Sequence, residues 1–235
     1  MNSRSRTFAL LLMAAALGCS NSPSGPTYAP EIPVTWASSV SNPFFPLVPG
    51  STNRFRGQTS DGVETVVVEV LSPTKQVNGV TATVVRDRVY LDGALTEDTY
   101  DWYAQDGAGN VWYLGEDSKQ VKNGQVVGTE GSWEWGVNGA LPGIVMWGNP
   151  TARVGEAYRQ EFFRGEAEDF GKVVAVDQSV TVPFGTFTGC IRTDDWSALD
   201  PGTLEQKFYC PQVGFVLEVA VGSSERLELL EVTTP

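Results

Sequence analysis

The stretch DWYAQDGAGNVWYLGE, at residues 101–116, decides the fold class. Two short runs rich in aromatic residues flank a turn that contains an aspartate and two glycines, which is the pattern of a β-hairpin. Side chains alternate between the two faces of a strand, so the neighbours Trp102 and Tyr103 point to opposite faces, and Trp112 and Tyr113 do the same. We therefore expect a sheet that carries large rings on both faces.

Short β-branched and aromatic runs continue on both sides of this hairpin, and no sustained helical periodicity interrupts them. Asn-Gly at 78–79 and 123–124 and Asp-Gly at 92–93 predict tight turns, because both residues of such pairs tolerate positive φ. The pattern predicts an all-β fold, an antiparallel meander that forms a barrel, a half-barrel or a sandwich. Residues 136–156, with Gly and Pro throughout, are expected to form a crossover or a cleft loop. The expected strands are Val63–Leu71, Val80–Leu91, Thr96–Gln105, Asn110–Gly115, Gln125–Trp135, Ala157–Arg164, Val173–Val182, Gly185–Asp194, Leu204–Cys210, Gly214–Val221 and Glu225–Val232.

The first residues of the chain are typical of export. Two arginines precede an apolar run over residues 8–17, which is too short to span a bilayer. The following ALGC resembles a bacterial lipobox, although Ala stands where Leu is usual. The resemblance implies that residues 1–18 are a cleaved signal peptide and that Cys19 carries the acyl chains; the alternative is an ordinary secretory signal with a chance cysteine. Ser20 matches the rule for outer-membrane sorting in enterobacterial lipoproteins, so we expect a membrane-anchored lipoprotein of the cell envelope.

The next residues predict a tether. Residues 19–42 are rich in Ser, Pro, Asn and Thr, and after the lipidated cysteine they are expected to be flexible, with one all-β domain over 43–235. Removing the first 18 residues, which hold two arginines and no acid, lowers the formal charge from −12 to −14. A body this acidic repels phosphate backbones, so nucleic acid is not an expected partner.

The chain contains no histidine. This excludes Ser-His-Asp and Cys-His catalysis, zinc or haem held by histidine, and HExxH peptidases. Walker, GxGxxG and GxSxG motifs are also absent from the sequence. We therefore name no catalytic residue and expect no cofactor apart from an optional calcium ion.

A disulfide is expected between Cys190 and Cys210. If these residues face each other across an antiparallel hairpin, the turn centres beside Pro201-Gly202, where turn residues belong. Opposed residues in such a pair have Cα atoms about 4.5–5.5 Å apart, which is within disulfide reach. The same register places Ile191 opposite Tyr209. An exported protein folds in an oxidising compartment, so a structural bridge is favoured over a redox site.

The aromatic side chains are one candidate site. A ring-lined platform or pocket could bind a carbohydrate or an apolar ligand. The alternative is that the same rings pack the core as cross-strand pairs. The candidate ligand-binding residues are Trp102, Tyr103, Trp112, Tyr113, Trp133 and Trp135.

The acidic side chains are a second candidate site. Asp101, Asp106 and Glu116 could hold Ca²⁺, although their spacing is not that of an EF-hand loop. Pairs of carboxylates could also hydrolyse a glycoside without histidine. The alternative for all acidic clusters is a solvated face or a turn.

Two stretches resemble an uncharacterised family of bacterial secreted β-proteins. NPFFPLVPGSTNRFRG at 42–57 resembles the family's "FPL.PG..W.Y.G" opening. GTFTGCIRT at 185–193 and FYCPQVGFV at 208–216 resemble its "G.F..CL...YYAPGVGLV" ending. The resemblance implies an antiparallel β lipoprotein and adds no catalytic residue. The family usually has Ala where Cys210 stands, so it does not imply the disulfide.

Together these observations favour a membrane-anchored binding or envelope-maintenance module of unknown ligand. The alternatives are a carboxylate-based carbohydrate-active enzyme and a purely structural or adhesive surface protein.

Overall fold

The structure is a computed structural model that describes residues 28–235. The predicted signal peptide and the predicted lipidation site, Cys19, lie outside the described residues. Among the residues described, we find no helix with the length and apolar character needed to cross a membrane.

The described residues confirm the all-β prediction, since every strand pairing is antiparallel and the remaining regular element is a 3-10 helix over Pro150–Arg153. The strands are β1 (Thr52–Gln58), β2 (Val63–Val77), β3 (Val80–Leu91), β4 (Ala94–Gln105), β5 (Val111–Asp117), β6 (Gln120–Lys122), β7 (Gln125–Gly128), β8 (Trp133–Glu134), β9 (Leu141–Met146), β10 (Ala157–Arg159), β11 (Glu161–Phe162), β12 (Asp169–Val182), β13 (Gly185–Ser197), β14 (Glu205–Cys210), β15 (Gly214–Ala220) and β16 (Arg226–Thr233).

Thirteen strands form one continuous path that curls into a nearly closed barrel. The path runs β10-β12-β13-β14-β15-β16-β1-β2-β3-β4-β5-β9-β11. Its two edges are neighbours in sequence: β10 pairs with β12, while β11, one residue further on, pairs with β9. One short segment, 157–162, therefore belongs to both edges. Of the three predicted shapes, the barrel is the one observed.

The hairpin turns match their sequence signals. Asn78, Asp92 and Asn123 have φ of 45°, 47° and 53°, and each is followed by a glycine that also has positive φ. Consecutive positive φ values are what a tight two-residue hairpin requires.

The disulfide and its register are confirmed. Cys190 and Cys210 are bonded, with Cα atoms 4.1 Å apart. Ile191 pairs with Tyr209, as the spacing predicts. The bridge joins β13 to β14 inside the core, where both cysteines are fully buried.

Three strands were missed by the sequence analysis. β1 and β6 were not predicted, and β9 lies within the predicted loop 136–156, so that interpretation was wrong. Leu141-Pro-Gly at the start of β9 has the composition of a loop, but Gly143 is there for a packing reason: a Cβ at this position would collide with the backbone of Gln160. The predicted strand Gln125–Trp135 is also interrupted, and forms β7 and β8.

The packed body begins before residue 43. Trp36 bridges to Asp106, and the amide nitrogen of Ala37 donates to the carbonyl oxygen of Gln105. Val40 and Asn42 are only 3% and 2% exposed. The predicted boundary at residue 42 therefore falls inside the folded domain.

Candidate functional site

The six candidate aromatic residues are all buried, none more than 9% exposed. Tyr103 and Tyr113 point into the barrel, where their rings stack with centroids 4.9 Å apart. Phe45 packs on Tyr103 at 5.2 Å. Trp133 meets the ring of Tyr113 edge-on at 5.4 Å. These inner rings contribute to the core.

The outer rings are covered by a second layer. Trp36 packs against Trp112 and Trp135, with centroid distances of 6.2 and 6.4 Å. The ammonium of Lys75 lies 3.7 Å from the ring centroid of Trp102. Ligand binding by the six rings therefore remains a prediction, and none of them presents an open face.

The three acids proposed for calcium are not brought together. Asp106 closes the β4–β5 loop, where its carboxylate accepts hydrogen bonds from the backbone of Ala108 and from Nε1 of Trp112, both at 2.9 Å. Asp101 and Glu116 are cross-strand partners further along the same two strands. Within residues 28–235, no three His, Cys, Asp or Glu side chains are placed to hold a metal ion. The structure does not support calcium binding by these three residues together, because the carboxylate of Asp106 is hydrogen-bonded within the turn.

The barrel interior instead contains charged residues at positions that alternation assigns to the core. Lys207 precedes Tyr209 by two residues in β14, and Glu218 follows Phe215 in β15. β14 and β15 are antiparallel, so a charged residue that precedes the aromatic residue in β14 lies at the same end of the barrel as one that follows the aromatic residue in β15. In β2 likewise, Glu64 precedes the buried Val66 by two residues. The interior thus has an apolar half and an acid half.

The charged residues of the acid half form what we call the acid ring. Each member is more than nine-tenths buried. Glu64 acts electrostatically on both Asp87 and Glu218, and Glu161 on Glu116, so the set connects around the interior. The members are Glu64, Asp87, Glu97, Asp101, Glu116, Glu161, Asp169, Asp195, Lys207 and Glu218.

One side of the ring, the lysine arc, contains its own cation. The ammonium of Lys207 lies 3.3 Å from Glu205, 3.6 Å from Glu218 and 3.7 Å from Asp195. Burial by itself would lower the pKa of Lys207, but the three carboxylates outweigh it and raise that pKa above its ordinary value. Gln160 donates to Asp195 at 3.0 Å and completes this arc.

The other side, the cation-free arc, consists of Asp87, Glu97, Asp101 and Glu116. Within the part of the chain that the structure describes, no salt bridge reaches any of these four. The hydroxyl of Tyr113 donates to Asp101 at 2.6 Å. Oδ1 of Asp87 and Oε2 of Glu116 are buried and accept no hydrogen bond.

Burial dominates the protonation of this arc. It raises the pKa of Glu97 and of Asp101 to about 7, although hydrogen bonds from Thr99 and Tyr113 oppose it. Burial, reinforced by neighbouring carboxylates, raises the pKa of Asp87 and Glu116 well above the ordinary range. Such groups are neutral hydrogen-bond donors when protonated and attract cations when ionised.

Sequence reasoning placed Asp101 and Glu116 in a candidate site but did not assemble the ring. It missed Lys207 and Glu218 altogether, and its alternative to a calcium or catalytic role for the acidic clusters was a solvated face or a turn, not a buried ring. The signal that could have found them is a charged residue in phase with core residues two positions away on the same strand.

Comparisons with known proteins leave the family open. No family model and no curated protein match the chain. Two solved structures are similar to it. One, from Bacteroides fragilis, is named as an exported protein with a YmcC-like fold; it is 13% identical, with a TM-score of 0.46 over 81% of this chain and 99% of that one. The other, from Parabacteroides distasonis, is named as a lipoprotein; it is 12% identical, with a TM-score of 0.38 over 81% and 98%. Both TM-scores are below 0.5, so neither similarity identifies a function for this chain.

Proposed function

We propose that this chain is a cell-envelope lipoprotein, anchored through acylated Cys19, whose barrel is a binding module with its site at the acid ring. The observation that carries the binding role is the cation-free arc. Asp87 and Glu116 are buried there with unpartnered oxygen atoms. A buried polar group without a partner costs about 1–3 kcal/mol. A ligand that supplies the missing partner would recover that cost.

The burial of the ring favours binding over glycoside hydrolysis. A glycosidase needs two carboxylates that flank a sugar chain in an accessible site. Asp101 and Glu116 are neighbours, but they are 5% and 2% exposed, and a glycan chain has no visible path to them. We therefore assign no catalytic residue.

The anchor is tested by fractionation. The wild-type protein, labelled with a fatty acid in its bacterial host, should appear in the membrane fraction. Cys19→Ser should lose the label and move to the soluble fraction, whereas Cys190→Ser should keep the label. A wild-type protein that is unlabelled and soluble would overturn the lipoprotein proposal.

The site is tested with Trp133, whose Nε1 donates to Glu161 at 2.8 Å beside the cation-free arc. We would titrate n-butylammonium chloride, N-acetylglucosamine and calcium chloride separately while recording tryptophan fluorescence. At least one probe should give a saturable change that Trp133→Phe and Glu116→Gln both abolish. If all three probes leave the fluorescence unchanged, the ring is purely structural and the binding proposal fails.

A further inference from the structure

We infer that the cation-free arc is a binding site for a small primary alkylammonium ion. The inference deepens the proposed function by naming the ligand class. It starts from a contrast within the ring: both arcs have buried carboxylates, but among the described residues only the lysine arc has a cation in a salt bridge with them. Arg88, next to Asp87 in sequence, acts on it electrostatically but forms its salt bridge with Glu69. Lys207 shows which group this lining accepts, because its ammonium lies 3.3–3.7 Å from three carboxylates.

The unpartnered atoms point to a donor-rich ligand. An ammonium has three N–H donors and no acceptor. Oε2 of Glu116 and Oδ1 of Asp87 are buried acceptors without a partner. The charges of Glu161, Asp101 and Glu97 raise the pKa of Glu116, so the Glu116 carboxylate lies on the side of the arc that faces these groups. The arc therefore has acceptors available where an ammonium would need them.

Aromatic residues beside the arc favour an organic cation over a metal ion. Trp133 pairs with Glu116 across β8 and β5 and packs edge-on against Tyr113. Rings of this kind attract ammonium groups and cover an alkyl stem. A metal would instead need a pre-formed group of three ligands, which residues 28–235 do not provide.

The burial of the arc selects a small molecule over a protein side chain. All four carboxylates are less than 9% exposed. A compact amine would add only its alkyl stem to the interior, whereas a lysine on another protein would have to bring its backbone along. Burial raises the pKa of all four carboxyls, and a bound ammonium would lower it, so amine binding should release protons to the solvent.

Isothermal titration at pH 7.5 with n-butylammonium chloride tests this inference. We expect saturable binding to the full-length protein, with proton release detected from two buffers of different ionisation enthalpy. The uncharged analogue n-butanol should not bind. Glu116→Gln and Asp87→Asn should each weaken binding at least tenfold, while near-ultraviolet circular dichroism reports that they remain folded.

The matched control is Glu231→Gln, which removes a carboxylate whose side chain is 61% exposed. It should bind butylammonium like the wild type. Equal weakening by Glu231→Gln and Glu116→Gln, or equal binding of butanol, would overturn the inference, as would an absence of binding. A Trp133 fluorescence response to N-acetylglucosamine or calcium alone would sink the amine inference while the proposed binding function survives.

Discussion

The two halves of the barrel interior have the same backbone geometry and opposite chemistry. In the apolar half, Phe45 packs on Tyr103 and Tyr209, and the segment that carries it is closed by a hydrogen bond from the amide nitrogen of Leu47 to the carbonyl oxygen of Val40. In the acid half, inward positions hold carboxyl groups such as Asp101 and Asp169, whose pKa burial raises to about 7. The difference teaches that the alternation of side chains along a strand determines which of them point into the barrel, but does not require those side chains to be apolar. The apolar half stabilises the fold at any pH, whereas the contribution of the acid half depends on pH.

The largest expected effect is that of pH itself. Burial raises the pKa of Asp101 and Asp169 from 3.8 to about 7. Between those values the folded state holds protons more tightly than the unfolded state, so the free energy of unfolding falls as pH rises from about 4 to about 7. A shift of that size is worth on the order of 4 kcal/mol per group. Calorimetry should show the highest melting temperature near pH 5 and a marked fall by pH 8; a maximum at pH 8 would contradict the role of the acid half.

Removing the internal cation should have the next largest effect. Lys207→Met leaves three carboxylates without their ammonium and should lower the free energy of unfolding by about 4 kcal/mol at pH 8. The loss should shrink at pH 5, where the carboxyls can take up protons. Urea unfolding at both pH values measures this. The exposed Lys122→Met is the control and should change stability by less than about 0.5 kcal/mol.

A cavity in the apolar half should behave differently. Phe45 is 8% exposed and contacts two tyrosine rings, so Phe45→Ala should cost about 3 kcal/mol. The same loss is expected at pH 5 and pH 8, because burial raises the pKa of Tyr103 and Tyr209 above the ordinary value, so both stay protonated at either pH. Phe184→Ala, at a position 45% exposed, is the control and should cost much less. A strongly pH-dependent loss for Phe45→Ala would show that the two halves are coupled.

The smallest effect should be a gain. Glu116→Gln replaces a buried carboxyl with a neutral amide of similar shape, so it removes the cost of ionisation. We expect a stabilisation of about 1 kcal/mol at pH 8 and none at pH 5, measured by urea unfolding. A destabilisation at pH 8 would mean that the ionised carboxylate is satisfied by a partner inside the ring.

Local signals made much of the fold predictable. The Asn-Gly and Asp-Gly turns, and the spacing of Cys190 and Cys210, depend on residues that are near in sequence and carry their own geometric requirements. β9 was not predictable in this way. Pro142 and Gly143 have the composition of a loop, and they belong to a strand because β5 pairs with β9 on one side and β11 pairs with it on the other.

The acid ring could not be predicted because its cause is the closure of the barrel. Asp101 and Glu116 stand at the two ends of an aromatic hairpin, but only the curvature of the sheet brings Glu161 and Asp169 near Glu116. Trp36 was likewise assigned to the tether, since nothing in its neighbourhood indicates that it covers Trp112.

The pairing of β1 with β16 has a consequence for the timing of folding. Thr52 lies beside Thr233, so two strands separated by almost the whole domain are neighbours in the sheet. A chain that is synthesised from its amino end can form the β2–β3 and β3–β4 hairpins before β16 is available. Until β16 is in place, β1 has one unpaired edge, with which a chaperone or another incompletely folded copy could pair.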